Sequence, residues 1–212
     1  MRRRRSPGDS GQAFPVYITV VGGLLFLAFA YLAVGQAGVN RNGAQTAADA
    51  AALAAAQDTR DQLAGNWLSV IDDPDKWLEF LDGDTAVLDG CPRAYELAEQ
   101  NRADVDACGP SGPLGYTVDV TAQESVGESI VPGTEEFHST ASATAVIEPR
   151  CSFEPPTDEE GDNGDGDGNE TLPLPVLDCG DTDWEPDPDD PTTLPDPEDL
   201  FDVHLADATN DE

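Results

Sequence analysis

Basic residues are scarce in this chain: 10 Lys and Arg stand against 43 Asp and Glu, for a formal net charge of −33 over 212 residues. A polyanion of this strength repels phosphate backbones and anionic headgroups, which excludes nucleic acid as a partner apart from the first five residues. Histidine occurs only at His138 and His204. No nucleophile in a glycine elbow, no phosphate-binding loop and no His/Asp/Glu cluster with metal spacing accompanies them. The chain is therefore not expected to be an enzyme, and no cofactor, metal or small-molecule substrate is expected. Apolar residues are also limited, at 39%. Many are alanines or lie in one run near the N-terminus, so little remains for a large soluble core. The length allows one or two small domains.

What charge there is falls unevenly. Arg2, Arg3, Arg4 and Arg5 make up four of the ten basic residues, while residues 152–212 hold 22 acidic side chains and no Lys or Arg. Four regions follow: a basic leader at 1–12, an apolar and then alanine-rich helix at 13–65, a small head at 66–151 and an acidic tail at 152–212.

Residues 16–34 read VYITVVGGLLFLAFAYLAV, 19 residues without a charge, the length needed to cross a hydrocarbon core. The 11 Val, Ile, Leu and Phe side chains among them contribute roughly −5 kcal/mol on the insertion scale, which outweighs the penalties of Gly22, Gly23, Thr19 and the tyrosines. A cleaved secretory signal is the other reading, since residues 33–37 are small enough for cleavage. Signal cores normally run about 7 to 15 residues, however, and the chain beyond this run stays helix-like. Arg2 to Arg5 precede the span and only Arg41 follows closely, so the N-terminus is expected in the cytoplasm and the rest outside. That orientation puts all four cysteines in an oxidising compartment.

Beyond the span, alanine dominates residues 44–56, and alanine is the best helix former. A helix over 13–64 would be a rod of about 78 Å. Gly35, Gly38, Ala47, Ala51 and Ala54 offer small surfaces where neighbouring helices can approach closely; a solvated stalk is the alternative. The order GQAFPVYITVVGGLLFLAFAYLAVGQAG followed by VNRNGAQTAADAAALAAAQDTRDQL resembles the N-terminal region of TadE/TadG-like Flp pilus-assembly proteins, particularly those of actinobacteria. Its most specific piece is RNGAQTAADAAALAAA directly after a single span, and the resemblance covers about residues 11–64. Such proteins are similar to pseudopilins. The resemblance implies an accessory part in building tight-adherence pili, with other Tad/Flp membrane proteins or pilin-like helices as partners. Gly11 before Gln12 suits a prepilin-type peptidase. With Gln12 as the first mature residue, the fifth position is Val16, where pilins usually carry a glutamate.

The middle of the chain reads as a small α+β head. NWLSVIDDPDKWLEFL (66–81) predicts a helix end, a turn at Asp73 and Pro74, and a short amphipathic helix, with Trp67 and Trp77 as packing residues. Residues 95–105 read as helical. Residues 115–122 and 137–147 alternate as strands, Tyr116, Val118 and Val120 sharing one face and Ala141, Ala143, Ala145 and Ile147 another. An isolated pair is marginal, so two or three strands against one or two helices, or pairing with a partner's sheet edge, are expected. Four cysteines allow three connectivities. Cys91 with Cys108 and Cys151 with Cys179 is favoured because each pair brackets one coherent segment. Zinc is the rival use, but no Cys-x-x-Cys knuckle is present. Closing the first loop is worth about 3 kcal/mol by chain entropy.

The tail's nine prolines and repeated Asp-Gly steps predict disorder. Residues 162–170, DNGDGDGNE, open like a calcium loop, yet Leu174 occupies the position of the required glutamate. Residues 200–208 read as a helical turn or two that docks on a partner. Two functions remain in view: a membrane-anchored pilus-assembly component acting through helix packing, or a free-standing anchored surface protein that binds cations or cell-wall material through its tail.

Overall fold

A computed structural model describes residues 13–125, 136–155, 174–180, 182–187, 190 and 194–207. The basic leader, Gly11, Gln12 and the calcium-loop-like stretch 162–170 lie outside the described residues.

No proline falls between Pro15 and Pro74, and the chain uses that freedom for one continuous helix, α1, Ala13–Ser69. Near its end Ser69 Oγ donates to the Asn66 carbonyl at 2.6 Å. A 3-10 turn, Pro74–Lys76, then leads into α2, Trp77–Leu81. α3, Cys91–Gln100, starts with Pro92 in its first turn, where a missing N–H costs nothing. The helix expected over 95–105 is therefore displaced: Arg102 takes a left-handed φ of 58°, the helix has ended, and Val105 already lies in a strand.

That strand is β1, Ala103–Pro110. It is followed by β2, Gly115–Ser125, and β3, His138–Pro149. A small hairpin comes next, β4, Leu177–Asp178, and β5, Asp183–Trp184. The described chain then closes with α4, Pro197–Leu200, and β6, Phe201–Leu205. The main sheet has the order β1-β2-β3-β6, antiparallel at every step. The alternation seen in the sequence becomes two faces. Tyr116, Val118, Val120, Ala143, Ala145 and Ile147 are buried, while on the opposite face Thr117 and Thr144 hydroxyls meet at 2.8 Å.

α1 packs on β2, β3, β6 and α3. Alanine permits this close approach, and Gly90 extends it: a Cβ there would collide with the Ala55 carbonyl oxygen. At the far end of α1, Trp67 and Trp77 pack edge to face with centroids 5.2 Å apart, and Phe153 meets Trp77 at 5.0 Å.

Two expectations change here. The disorder expected of residues 152–212 is not what the described residues show, because 174–180, 182–187 and 194–207 return to the head. Leu177, Leu200 and Phe201 are all fully buried, so a few spaced apolar anchors outweigh an acidic average composition. Within the stretch 200–208 the expected helix gives way to a strand, Phe201–Leu205. β3 presents an unpaired edge, and β6 fills it from Phe201 opposite Pro149 to Leu205 opposite Ala145. The marginal two-stranded pair is thereby completed within one chain.

Candidate functional site

The candidate site is α1 itself, whose two stretches present different surfaces. Phe14–Leu32 is 19 residues long with a mean hydropathy of 2.0, and none of it is buried. It is long and apolar enough to cross a membrane. Phe14, Leu24, Phe26, Leu27 and Tyr31 are all more than half exposed, so the head offers them no cover. Gly35 and Gly38 follow, with open space around each.

From Ala44 onward the same helix turns inward. Ala47 and Ala51 are fully buried and Ala54 nearly so, covered by the sheet and by α3. These three were expected to meet partner helices, and that expectation is corrected: their neighbour is this chain's own head. The face left over carries Gln45, Thr46, Gln57 and Asp61, all exposed. A shallow open groove between α1 and α3 is lined by Ala50, Leu53, Ala54 and Leu97, with Asp58 and Arg93 among its polar walls.

The cysteines form two disulfides. Cys91 is bonded to Cys108 and Cys151 to Cys179. The first ties α3 to β1. The second joins the end of β3 to the β4–β5 hairpin, next to an antiparallel bridge in which Ser152 and Asp178 exchange two hydrogen bonds of 2.8 Å. With all four sulfurs so bonded, none is a thiolate available to zinc.

The two histidines sit apart. His138 Nδ1 lies 2.8 Å from the Ala122 carbonyl oxygen at the start of β3. His204, on β6, has Asp202 at 3.3 Å and Glu148 at 4.0 Å. The C-terminal segment is held by charge as well as by apolar anchors: Arg150 donates to the Glu198 carbonyl at 3.1 Å, and Arg60 stands 3.8 Å from the Glu198 carboxylate. Lys76 is held above its ordinary pKa by its hydrogen bond to Asp73 and by the charge of that carboxylate. This is a surface contact at the turn before α2.

Sequence reasoning missed the covering of the alanine face. A signal was present, because alanine occupies so many positions around the helix between 44 and 56 that neighbours are implied on more than one side. That those neighbours belong to the same chain depends on β2 and β3, far along the sequence.

Comparison with known proteins bears on α1 alone. Residues 11–58 match the family Tad, described as Flp pilus-assembly TadE/G-like. The match takes in the apolar stretch and most of the alanine-rich stretch, and amounts to less than a quarter of the chain. No curated protein matches. No solved structure matches.

Proposed function

We propose that this protein, whose residues 11–58 form a TadE/G-like segment, is a membrane-anchored, non-catalytic component of a Tad/Flp pilus-assembly system. It acts by packing its apolar helix beside other helices in the membrane while the head projects outside. The observation that carries this reading is the coincidence of the family segment with a single helix whose apolar stretch is wholly uncovered. Arg2 to Arg5 on one side of the span, against Arg41 on the other, orient the N-terminus to the cytoplasm. Two disulfides suit a head folded in an oxidising compartment.

Because the head covers Ala47, Ala51 and Ala54, partner helices approach along the uncovered stretch and just beyond it, where a Cβ added at Gly35 or Gly38 would meet nothing within 4 Å. Packing between membrane helices depends on such small residues, which let backbones come close. Val16, in place of the usual pilin glutamate, removes the charge that would neutralise a neighbour's amino terminus. The reading is therefore of an assembly partner that remains in the membrane, with its pseudopilin likeness confined to the helix.

The test is co-purification of the full chain from native membranes after mild crosslinking. The double variant Gly35→Leu/Gly38→Leu is expected to lose its Tad-system partners while remaining in the membrane fraction with both disulfides intact. Unchanged recovery of those partners, or recovery of none by the parent protein, would overturn the proposal.

A further inference from the structure

One end of the sheet lies beside the point where α1 leaves its apolar stretch. Asn40 Nδ2 donates to the Ser125 carbonyl at 2.8 Å, and Gln45 Nε2 donates to the Ser142 carbonyl at 3.3 Å. Ser125 is paired with His138, so β3 begins beside residue 40 of the helix and moves away from the apolar stretch as it continues. Phe137 immediately precedes β3 and is 66% exposed. Among the described residues of the head, it stands at the edge nearest the span.

The distances are short. A hydrocarbon layer of about 30 Å takes roughly 20 helical residues, which from Phe14 ends near Val34. From there to Asn40 the helix rises only about 9 Å. The headgroup layer of one leaflet is itself roughly 5 to 8 Å thick, so the residue 40 level lies within a side chain's length of the headgroups. Arg41 occupies that level. Arg60, Lys76, Arg93 and Arg102 each have an ion pair, and Arg150 hydrogen-bonds a carbonyl. Among the described basic residues, Arg41 alone has neither. In a chain carrying 43 carboxylates, an unpaired guanidinium at headgroup depth calls for an anion that the described residues do not supply. Val39, beside it, is 70% exposed.

We propose that this end of the head is a second membrane contact: Phe137 enters the headgroup layer of the leaflet from which α1 emerges, and Arg41 binds lipid phosphate there. The chemistry fits each group. A guanidinium presents a planar fork to phosphate oxygens and is more weakly hydrated than an ammonium. Its long stem lets it reach the interface along the helix, and an aromatic ring adds apolar contact at the same depth. Because Asn40 and Ser125 fix the hairpin to the helix, the contact sets the tilt of α1 and head together against the bilayer. The proposal rests on α1 being a membrane anchor.

The experiment uses the full chain in phosphatidylcholine vesicles whose lipids carry bromine either just below the headgroup or near the chain end. Phe137→Trp places a quenchable probe at the contact; the parent's three tryptophans, Trp67 and Trp77 at 1% and 0% exposed and the half-buried Trp184 on β5, give the background. Quenching of the added tryptophan is expected to be at least twice as strong with shallow bromines as with deep ones, and to fall by half or more when Arg41→Gln is introduced. Quenching no greater than that of the parent, or stronger from deep bromines, overturns the contact. Quenching unaffected by Arg41→Gln overturns the phosphate role of the arginine. Vesicle flotation of the parent separates the two levels: a parent that does not float removes the anchor and this contact with it, whereas flotation without quenching removes the contact alone.

Discussion

The two stretches of α1 invert the usual relation between side-chain size and burial. Between Phe14 and Leu32 the helix carries Leu, Phe, Val and Ile, and none of this stretch is buried. Between Ala44 and Ala56 it carries mostly alanine, and that stretch forms one wall of the core. A soluble helix would bury its large side chains and expose its small ones. Here lipid is the natural partner of the large side chains. The small ones serve a different end, since alanine brings the helix backbone close to β2, β3 and α3, so the head gains close packing from backbone proximity and not from bulk. Solvent differs along one helix, and each stretch is composed for its own.

Mutations of matched chemistry in the apolar stretch and in the head test that contrast, with unfolding of the detergent-solubilised full chain in urea followed by near-ultraviolet circular dichroism. Trp77→Ala in the head is expected to cost about 3 to 5 kcal/mol. Phe26→Ala, which removes a ring that is 71% exposed, should leave the head's unfolding midpoint unchanged. Equal effects would mean that the apolar stretch is part of the folding unit after all.

Replacing Cys91 and Cys108 with serine should lower stability by about 3 kcal/mol through the entropy of the released loop. Only the head should respond, and amide exchange in α3 and β1 reports it. If reduction loosened the apolar stretch equally, the separation between the two stretches would fail.

Enlarging a small residue gives the sharpest pairwise test. Ala51→Leu is expected to destabilise the head by about 1 to 3 kcal/mol, because added methylenes in a filled site force strain. Gly38→Leu, whose added Cβ would meet nothing within 4 Å, should have no such cost, and its effect should show in partner recovery instead. Thr117→Ala, which deletes the hydroxyl contact with Thr144 on the outer sheet face, should cost about 1 kcal/mol or less.

The smallest effect belongs to Lys76. Its pKa is raised by Asp73, so the pair stabilises the fold below the ordinary lysine pKa, and that contribution is lost as pH rises through the raised value. Lys76→Met should thus show a slight deficit at neutral pH that vanishes in strong alkali, measured as a shift in urea midpoint. A deficit that grew with pH would contradict the sign.

Much of the local structure was legible. The uncharged run at 16–34, the alanine block, the turn at Pro74 and the two alternating strands are short-range patterns, and each reflects forces that act within a few residues. The family resemblance over the helix was legible for the same reason, since it rests on contiguous residues. The folded C-terminal segment was not. Its Leu177, Leu200 and Phe201 are scattered among acidic and proline residues, and composition averages them away. The fate of the alanine face was hidden too, because Ala51 reads the same beside a foreign helix as beside the head of its own chain.

The sequence by itself determined that one long helix exists, that its first stretch is apolar enough for a membrane, and where the strand-forming stretches lie. Only the tertiary structure decided what covers the alanines, that β6 completes the sheet, and that Phe137 comes beside the exit from the apolar stretch, where the sequence already puts Arg41. The division has a physical cause. Helix propensity and hydropathy are sums over neighbouring residues, whereas burial is a pairing of surfaces from distant parts of the chain, settled only when β3 lies against α1 and Phe201 reaches back to Pro149.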